Sequence, residues 1–187
     1  MSSLRAFVFR MRGGLWTLLF CIILALARVT RLSFLLGLPF VILGQIWRFW
    51  AAGSIGRYRG ERVGAEHLVT WGPYALMRNP LYFGNGLIGL GWALMSGPWA
   101  ICIFVAAFAL LYLFVIIPHE ESFLHETFGT EYQDYRSRTG SFFPKTLPER
   151  GRLTGPFSFS VLRKSERHTL WTTLGGTFLI GLKGFFL

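Results

Sequence analysis

The apolar positions of this chain are gathered into long blocks instead of alternating or recurring in short runs, a pattern that predicts membrane-length helices rather than strands. The first block, GGLWTLLFCIILALA from Gly13 to Ala27, is flanked by Arg10, Arg12 and Arg28. It is short for a bilayer crossing, which takes about 20 apolar residues. No small-residue cleavage site follows it, so it reads as a helix of the mature protein rather than a signal peptide. The second block, Leu32 to Ala52, is long enough to span; Pro39 is expected to kink it, and Arg48, about one turn from its end, to snorkel toward headgroups. The run from Leu81 to Ile117 is too long for one helix. Ser96-Gly97-Pro98 supplies a turn within it, so a tight helical hairpin is expected. A fifth run, Thr169 to Leu187, is weakened by Lys183 and by Gly175-Gly176 and has three placements: crossing the membrane, lying along its surface, or packing on a partner.

The expectation is therefore an all-α, polytopic membrane protein of about four or five transmembrane or membrane-associated helices. Composition agrees. Of the 187 residues 52 % are hydrophobic and 15 % charged, against roughly 25 % charged in soluble domains. Burying three or four such runs in a small soluble domain would need more covering surface than the chain has. One domain is expected over residues 1–187, with N-terminal helices at 1–52, a core region with the hairpin at 53–144, and a tail with an apolar helix at 145–187.

Charge sets the expected topology. The loop from Gly53 to Pro80 carries Arg57, Arg59, Arg62 and Arg78, and eight Lys or Arg lie between Ile117 and the last apolar run, whereas the turn at 96–98 has none. The positive-inside tendency puts both polar segments on the cytoplasmic side of a plasma or inner membrane. The formal charge of +10 fits anionic headgroups better than nucleic acid, because the arginines border hydrophobic runs and no nucleic-acid-binding motif is present. Cys21 and Cys102 sit inside apolar runs, without disulfide or ligand spacing. No His, Cys, Asp and Glu set has metal-ligand spacing, so no metal is expected.

If the hairpin forms, two polar segments face each other: Arg78 to Tyr82 at one end and His119 to Glu121 at the other. In the first, Asn79 suits an N-cap and Pro80 the first helical turn, which accounts for them structurally but leaves Tyr74, Arg78 and Tyr82 without a reason. Gly84, Gly86, Gly89 and Gly91 either allow close helix contact or leave room for a cofactor. In the second, Leu124, Phe128, Tyr132 and Tyr135 follow a helical spacing, and Gly129 can end one helix before Thr130 caps another. Glu120 and Glu121 come straight after an apolar helix, where they either mark the interface beside basic neighbours or face inward toward a cation. His67 and His119 are candidates for general site residues.

Together, HLVTWGPYALMRNPLYFGN and EESFLHETFGTEYQDYRSRTGSFFP resemble the integral-membrane methyltransferases that include isoprenylcysteine carboxyl methyltransferases and phospholipid N-methyltransferases. The resemblance covers about residues 60 to 144. It implies S-adenosylmethionine as methyl donor, held at the cytoplasmic face between the two motifs, with His67, Tyr74, Arg78, Asn79, Pro80 and Tyr82 in the loop motif and Glu120 and Glu121 in the carboxylate motif. Many carboxyl-methylating relatives have His where this chain has Asn79, whereas phospholipid-methylating ones can have Asn-Pro. A second departure is His119 in IPHEE, where many relatives place an arginine.

The chemistry asks mainly for alignment and exclusion of water, since a methyl group offers no oxyanion to stabilise. Glu120 or Glu121 is expected at the donor's amino group, Arg78 at its carboxylate, and Tyr74 and Tyr82 along the adenosine. Catalytic candidates are His67, Asn79, His119 and Glu121. An amine acceptor needs a base, for which His67, His119 or a glutamate is available, and a carboxylate acceptor needs little help. A lipid-like acceptor entering sideways from the bilayer is the natural partner; a homo-oligomer is possible on the apolar faces. The alternative is a noncatalytic membrane scaffold or lipid-binding protein with the same motifs.

Overall fold

The long apolar blocks fold as helices throughout in the computed structural model, which describes residues 3–55 and 67–186. Arg57, Arg59 and Arg62, with Gly60 and Gly64, lie outside the described residues. In chain order the helices are α1 (Ser3–Leu26), α2 (Arg31–Ser54), a single turn α3 (Pro73–Leu76), α4 (Pro80–Ser96), α5 (Pro98–Phe108), α6 (Ile117–Arg138) and α7 (Phe159–Phe186), with a 3-10 turn at Arg150–Leu153. Between α5 and α6 the backbone winds as a π-helix over Ala109–Ile116. It stands just ahead of Pro118, which in a regular α-helix would have no N–H to donate and would clash with the carbonyl four residues back. The expected hairpin turn is present: Gly97 has φ 119 and Pro98 opens α5.

Among the described residues, two helical segments are long and apolar enough to cross a membrane, Arg31–Ser54 and Pro98–Arg138. Met11–Leu26 is a shorter apolar segment, and α4 has 17 residues. The helix α2 runs on through Pro39. Cys21 and Cys102 are both exposed.

The chain divides into two compact units, one formed by Met1–Gly44, Gly86–His119 and Trp171–Leu187, the other by Gln45–Asn85 and Glu120–Leu170. The first has an apolar interior. Ile23, Ala93, Ala100 and Phe104 form one buried cluster, and Val41, Met95 and Ile180 another, with Phe20, Phe34 and Trp92 packed against the latter. Its helices α2 and α4 approach backbone to backbone: a Cβ added to Gly91 would lie 2.7 Å from the Gly37 carbonyl oxygen and from a Val41 methyl, so this glycine serves close packing. The last helix contributes its part from Trp171 onward to this unit. Trp92 Nε1 donates to Thr177 Oγ1 at 3.0 Å, and Lys183 Nζ donates to the Leu24 and Ala25 carbonyls at 2.8 and 2.5 Å. Lys183 thereby caps the last carbonyls of α1, of which Leu24 O also accepts from Ala27 N at 3.3 Å.

The second unit is more polar and holds the loop motifs. Leu68, Tyr132 and Tyr135 form its buried centre, with Leu124 and Phe128 against them. The segment after α6 folds back on the first loop. Met77 and Gly140 form an isolated parallel bridge, Arg78 N donates to Gly140 O at 2.9 Å, Gly72 N to Arg152 O at 2.9 Å, and Trp71 Nε1 to Pro156 O at 3.2 Å.

Two glycine substitutions separate packing from propensity. Gly91→Leu should lower unfolding stability by about 1–3 kcal/mol through overpacking. At Gly175, where an added Cβ meets nothing within 4 Å, Ala should be neutral or stabilising by up to ~1 kcal/mol. Thermal unfolding of both variants in one detergent measures the difference.

Candidate active site

The two polar segments meet within the second unit. Asn79 occupies the N-cap position of α4, its carbonyl accepting from Phe83 N at 3.0 Å, and Pro80 behind it is fully buried. The Asn79 side chain is turned to a neighbour: Nδ2 donates to Ser141 Oγ at 3.0 Å and to Ser141 O at 3.3 Å. Arg78, one residue earlier, reaches Glu121. Its Nε and Nη2 donate to Glu121 Oε1 at 2.9 and 2.7 Å, and Nη1 donates to the Thr139 carbonyl and, at 3.5 Å, to that of Arg136. Tyr82, near the start of α4, donates from Oη to Glu120 Oε1 at 2.6 Å.

Helix geometry explains the pairing. Glu120 and Glu121 are adjacent on α6, about 100° apart around its axis, and take different partners, Tyr82 and Arg78. The Arg78 and Glu121 side chains are only 9 % and 14 % exposed. At that burial each ion needs the other, and Arg78 is already engaged by four protein acceptor contacts. The expected contact of Arg78 with a donor carboxylate therefore competes with bonds the folded chain already makes. Glu120, half-buried, takes one bond from Tyr82 and keeps acceptor capacity for a cation.

Beneath this cluster, Tyr135 Oη donates to the Tyr74 carbonyl at 2.8 Å, which fixes the loop carrying Tyr74 on the last part of α6. That part is set at its angle by Gly129, whose φ of 51° and ψ of −120° break the helix as its sequence position suggests. This polar stretch lies beyond the apolar segment. Burial, followed by the Glu121 carboxylate, pushes the Tyr132 hydroxyl up to about 12, against the opposing pull of Arg78 and Arg136. Burial also raises Tyr135, with Tyr74 adding to it. Both phenols stay protonated at neutral pH, and Tyr135 serves as a hydrogen-bond donor.

Arg78, Tyr82, Glu120 and Glu121 thus form one cluster, with Asn79, Pro80 and Tyr74 buried beside it. His67 is exposed and stands outside the cluster, and His119 belongs to the other unit.

Arg48 corrects an expectation. Instead of snorkelling it is buried, 9 % exposed, and paired with Glu166 of α7, which is 2 % exposed. Nε donates to Glu166 Oε2 at 2.9 Å and Nη2 to Glu166 Oε1 at 2.7 Å. Glu166 escaped sequence reasoning because it stands in RKSERH, where a lone acid among bases reads as solvated surface. Gln45, one turn before Arg48, is also buried, and neither of its amide atoms has a hydrogen-bond partner among the described residues.

Comparison with known proteins follows the same lines. The model of the phospholipid methyltransferase family matches residues 32–131. The chain is 32 % identical to the cobalt-zinc-cadmium resistance protein CzcN of Cupriavidus metallidurans over 90 % of its own length and 80 % of that protein. It is 31 % identical to the nickel-cobalt-cadmium resistance protein NccN of Alcaligenes xylosoxydans xylosoxydans, over 96 % and 85 %. A probable protein-S-isoprenylcysteine O-methyltransferase of Oryza sativa subsp. indica is 33 % identical over 58 % of this chain and 59 % of that one. No solved structure matches. The chain belongs to the phospholipid methyltransferase family, and the resemblance to membrane methyltransferases drawn from its two motifs holds at the level of the family.

Removing one partner of the Arg78–Glu121 pair leaves a largely buried charge alone. Glu121→Ala should cost on the order of 3 kcal/mol, whereas Tyr135→Phe, which deletes one hydrogen bond, should cost about 1 kcal/mol. Denaturant unfolding followed by tryptophan fluorescence ranks the two.

Proposed function

We propose that this protein is an S-adenosylmethionine-dependent methyltransferase of the membrane, acting on a lipid-like acceptor from a site at the cytoplasmic face, with α1, α2, α4, α5 with the π-helix, and α7 as its membrane helices. The observation that carries this reading is the meeting of Tyr82 with Glu120 and of Arg78 with Glu121. The donor set fits the group: a carboxylate with spare acceptor capacity suits an ammonium, and a neighbouring anion favours a sulfonium. When bound, S-adenosylmethionine supplies a methyl group made electrophilic by its sulfonium.

The residues divide the remaining work. Glu120, oriented by Tyr82, binds the ammonium end. Arg78 fixes Glu121 and, through the Thr139 carbonyl, the segment that closes over the loop motif. Tyr74 and Tyr82 line the nucleoside side. Asn79, through Ser141, holds the start of α4 against that same segment. Positioning of this kind lowers the barrier to in-line transfer by restricting approach, and apolar surroundings exclude competing water. Asn-Pro at residues 79–80 favours a phospholipid amine over a prenylcysteine carboxylate as acceptor.

A second reading concerns the setting. Two metal-resistance proteins align with nine-tenths or more of the chain, so we place this methyl transfer in a membrane modification that supports tolerance of cobalt, zinc or cadmium.

Isothermal titration of S-adenosylmethionine into the wild type in nanodiscs should show binding, and Glu120→Gln should weaken it at least tenfold. A folded wild type that takes up no donor would return the chain to a noncatalytic scaffold. For the setting, cells lacking the protein should grow less well on cobalt, zinc or cadmium, with rescue by the wild type and none by Glu120→Gln.

A further inference from the structure

The ion pair between Arg48 and Glu166 lies outside the cluster described above and, for Glu166, beyond the region matched by the family model, which ends at residue 131. Its geometry reaches back to the site. Besides the two bonds to Glu166, Arg48 Nη2 donates to Thr169 Oγ1 at 3.3 Å, and Nη1 donates to the Asn85 side-chain oxygen and to the Leu81 carbonyl at 3.4 Å. Leu81 and Asn85 are four apart on one face of α4, and Tyr82 lies between them in sequence. One guanidinium therefore joins α2, α4 and α7, all through residues of the second unit.

We propose that Arg48 and Glu166 are positioning residues for the methyltransferase site: Glu166 fixes the Arg48 guanidinium, and Arg48 fixes the rotation of the first turns of α4, which aim Tyr82 at Glu120. The need for such a device follows from lever arms. A tyrosine hydroxyl stands about 9 Å from its helix axis, so a 10° rotation moves it ~1.5 Å, enough to break a hydrogen bond. Dispersion packing is weakly directional, whereas a guanidinium forked between a carboxylate on one side and an amide and a carbonyl on the other holds an angle. If packing were the sole purpose, an apolar pair of similar volume would serve as well or better, because desolvating two charges costs several kcal/mol per ion. The C-terminal helix thereby becomes part of the site's supporting structure.

This inference rests on the reading of Tyr82 and Glu120 as donor-binding groups, and its test carries a readout independent of the donor. With 3-fluorotyrosine placed at position 82, fluorine NMR in nanodiscs reports the hydroxyl's surroundings. The wild type is compared with Arg48→Met plus Glu166→Leu, which replaces the pair by apolar groups, and with Asn85→Ala, which keeps the pair and removes its side-chain link to α4. Both variants should retain a thermal midpoint near the wild type while the fluorine resonance shifts and broadens and S-adenosylmethionine affinity falls at least tenfold. If the apolar pair does not fold, Asn85→Ala decides by the same two readouts. An unchanged fluorine resonance in a folded variant overturns the proposal. Absence of donor binding by the wild type would overturn the functional reading instead, and the fluorine signal would still judge whether Arg48 positions Tyr82.

Discussion

A guanidinium largely buried in a fold has to find its counter-charge and most of its acceptors inside the protein, because little water reaches it there. Arg48 and Arg78 meet this constraint in the same way, each forked onto one glutamate and completed by carbonyl or amide oxygens. Satisfying each arginine draws in segments far apart in sequence, 118 residues for Arg48 and Glu166 and 43 for Arg78 and Glu121. The fold of the second unit is largely the answer to where those acceptors come from.

The cluster at Glu120 and Glu121 shows the division of labour between identical side chains on consecutive positions. Glu121 is committed to Arg78 and contributes rigidity. Glu120, held by a single phenol, keeps the freedom to accept a cation. A pair of carboxylates side by side would repel if both looked the same way. Separate partners turn the two apart and leave one of them for a ligand.

Elements governed by local rules were legible in the sequence. The turn at Ser96–Pro98, the helix start at Asn79 and Pro80, and the break at Gly129 follow from glycine and proline sterics, and the hairpin brings the two motifs together as their positions imply. What escaped were partnerships with no local signature. Arg48 at the end of an apolar block has the look of a headgroup anchor, and nothing near it in the chain announces Glu166. The segment between α6 and α7 announces no partner, yet its backbone supplies Gly140, Ser141, Arg152 and Pro156 to the loop motif. Main-chain acceptors carry no residue code, so such docking leaves no mark in composition or periodicity.

The π-helix at Ala109–Ile116 changes how the helical stretch from Pro98 to the break at Gly129 has to be read. Each i→i+5 bond takes in one residue more than an α-turn, so the angular phase of the helix slips as it passes through these residues. A helical wheel drawn at a constant 100° per residue from Pro98 would assign Glu120 and Glu121 to the wrong faces. The π-helix acts as a phase adjuster, letting the apolar pattern ahead of it and the carboxylate pattern at Glu120 and Glu121 each keep its own register along a helix that runs on to the break at Gly129.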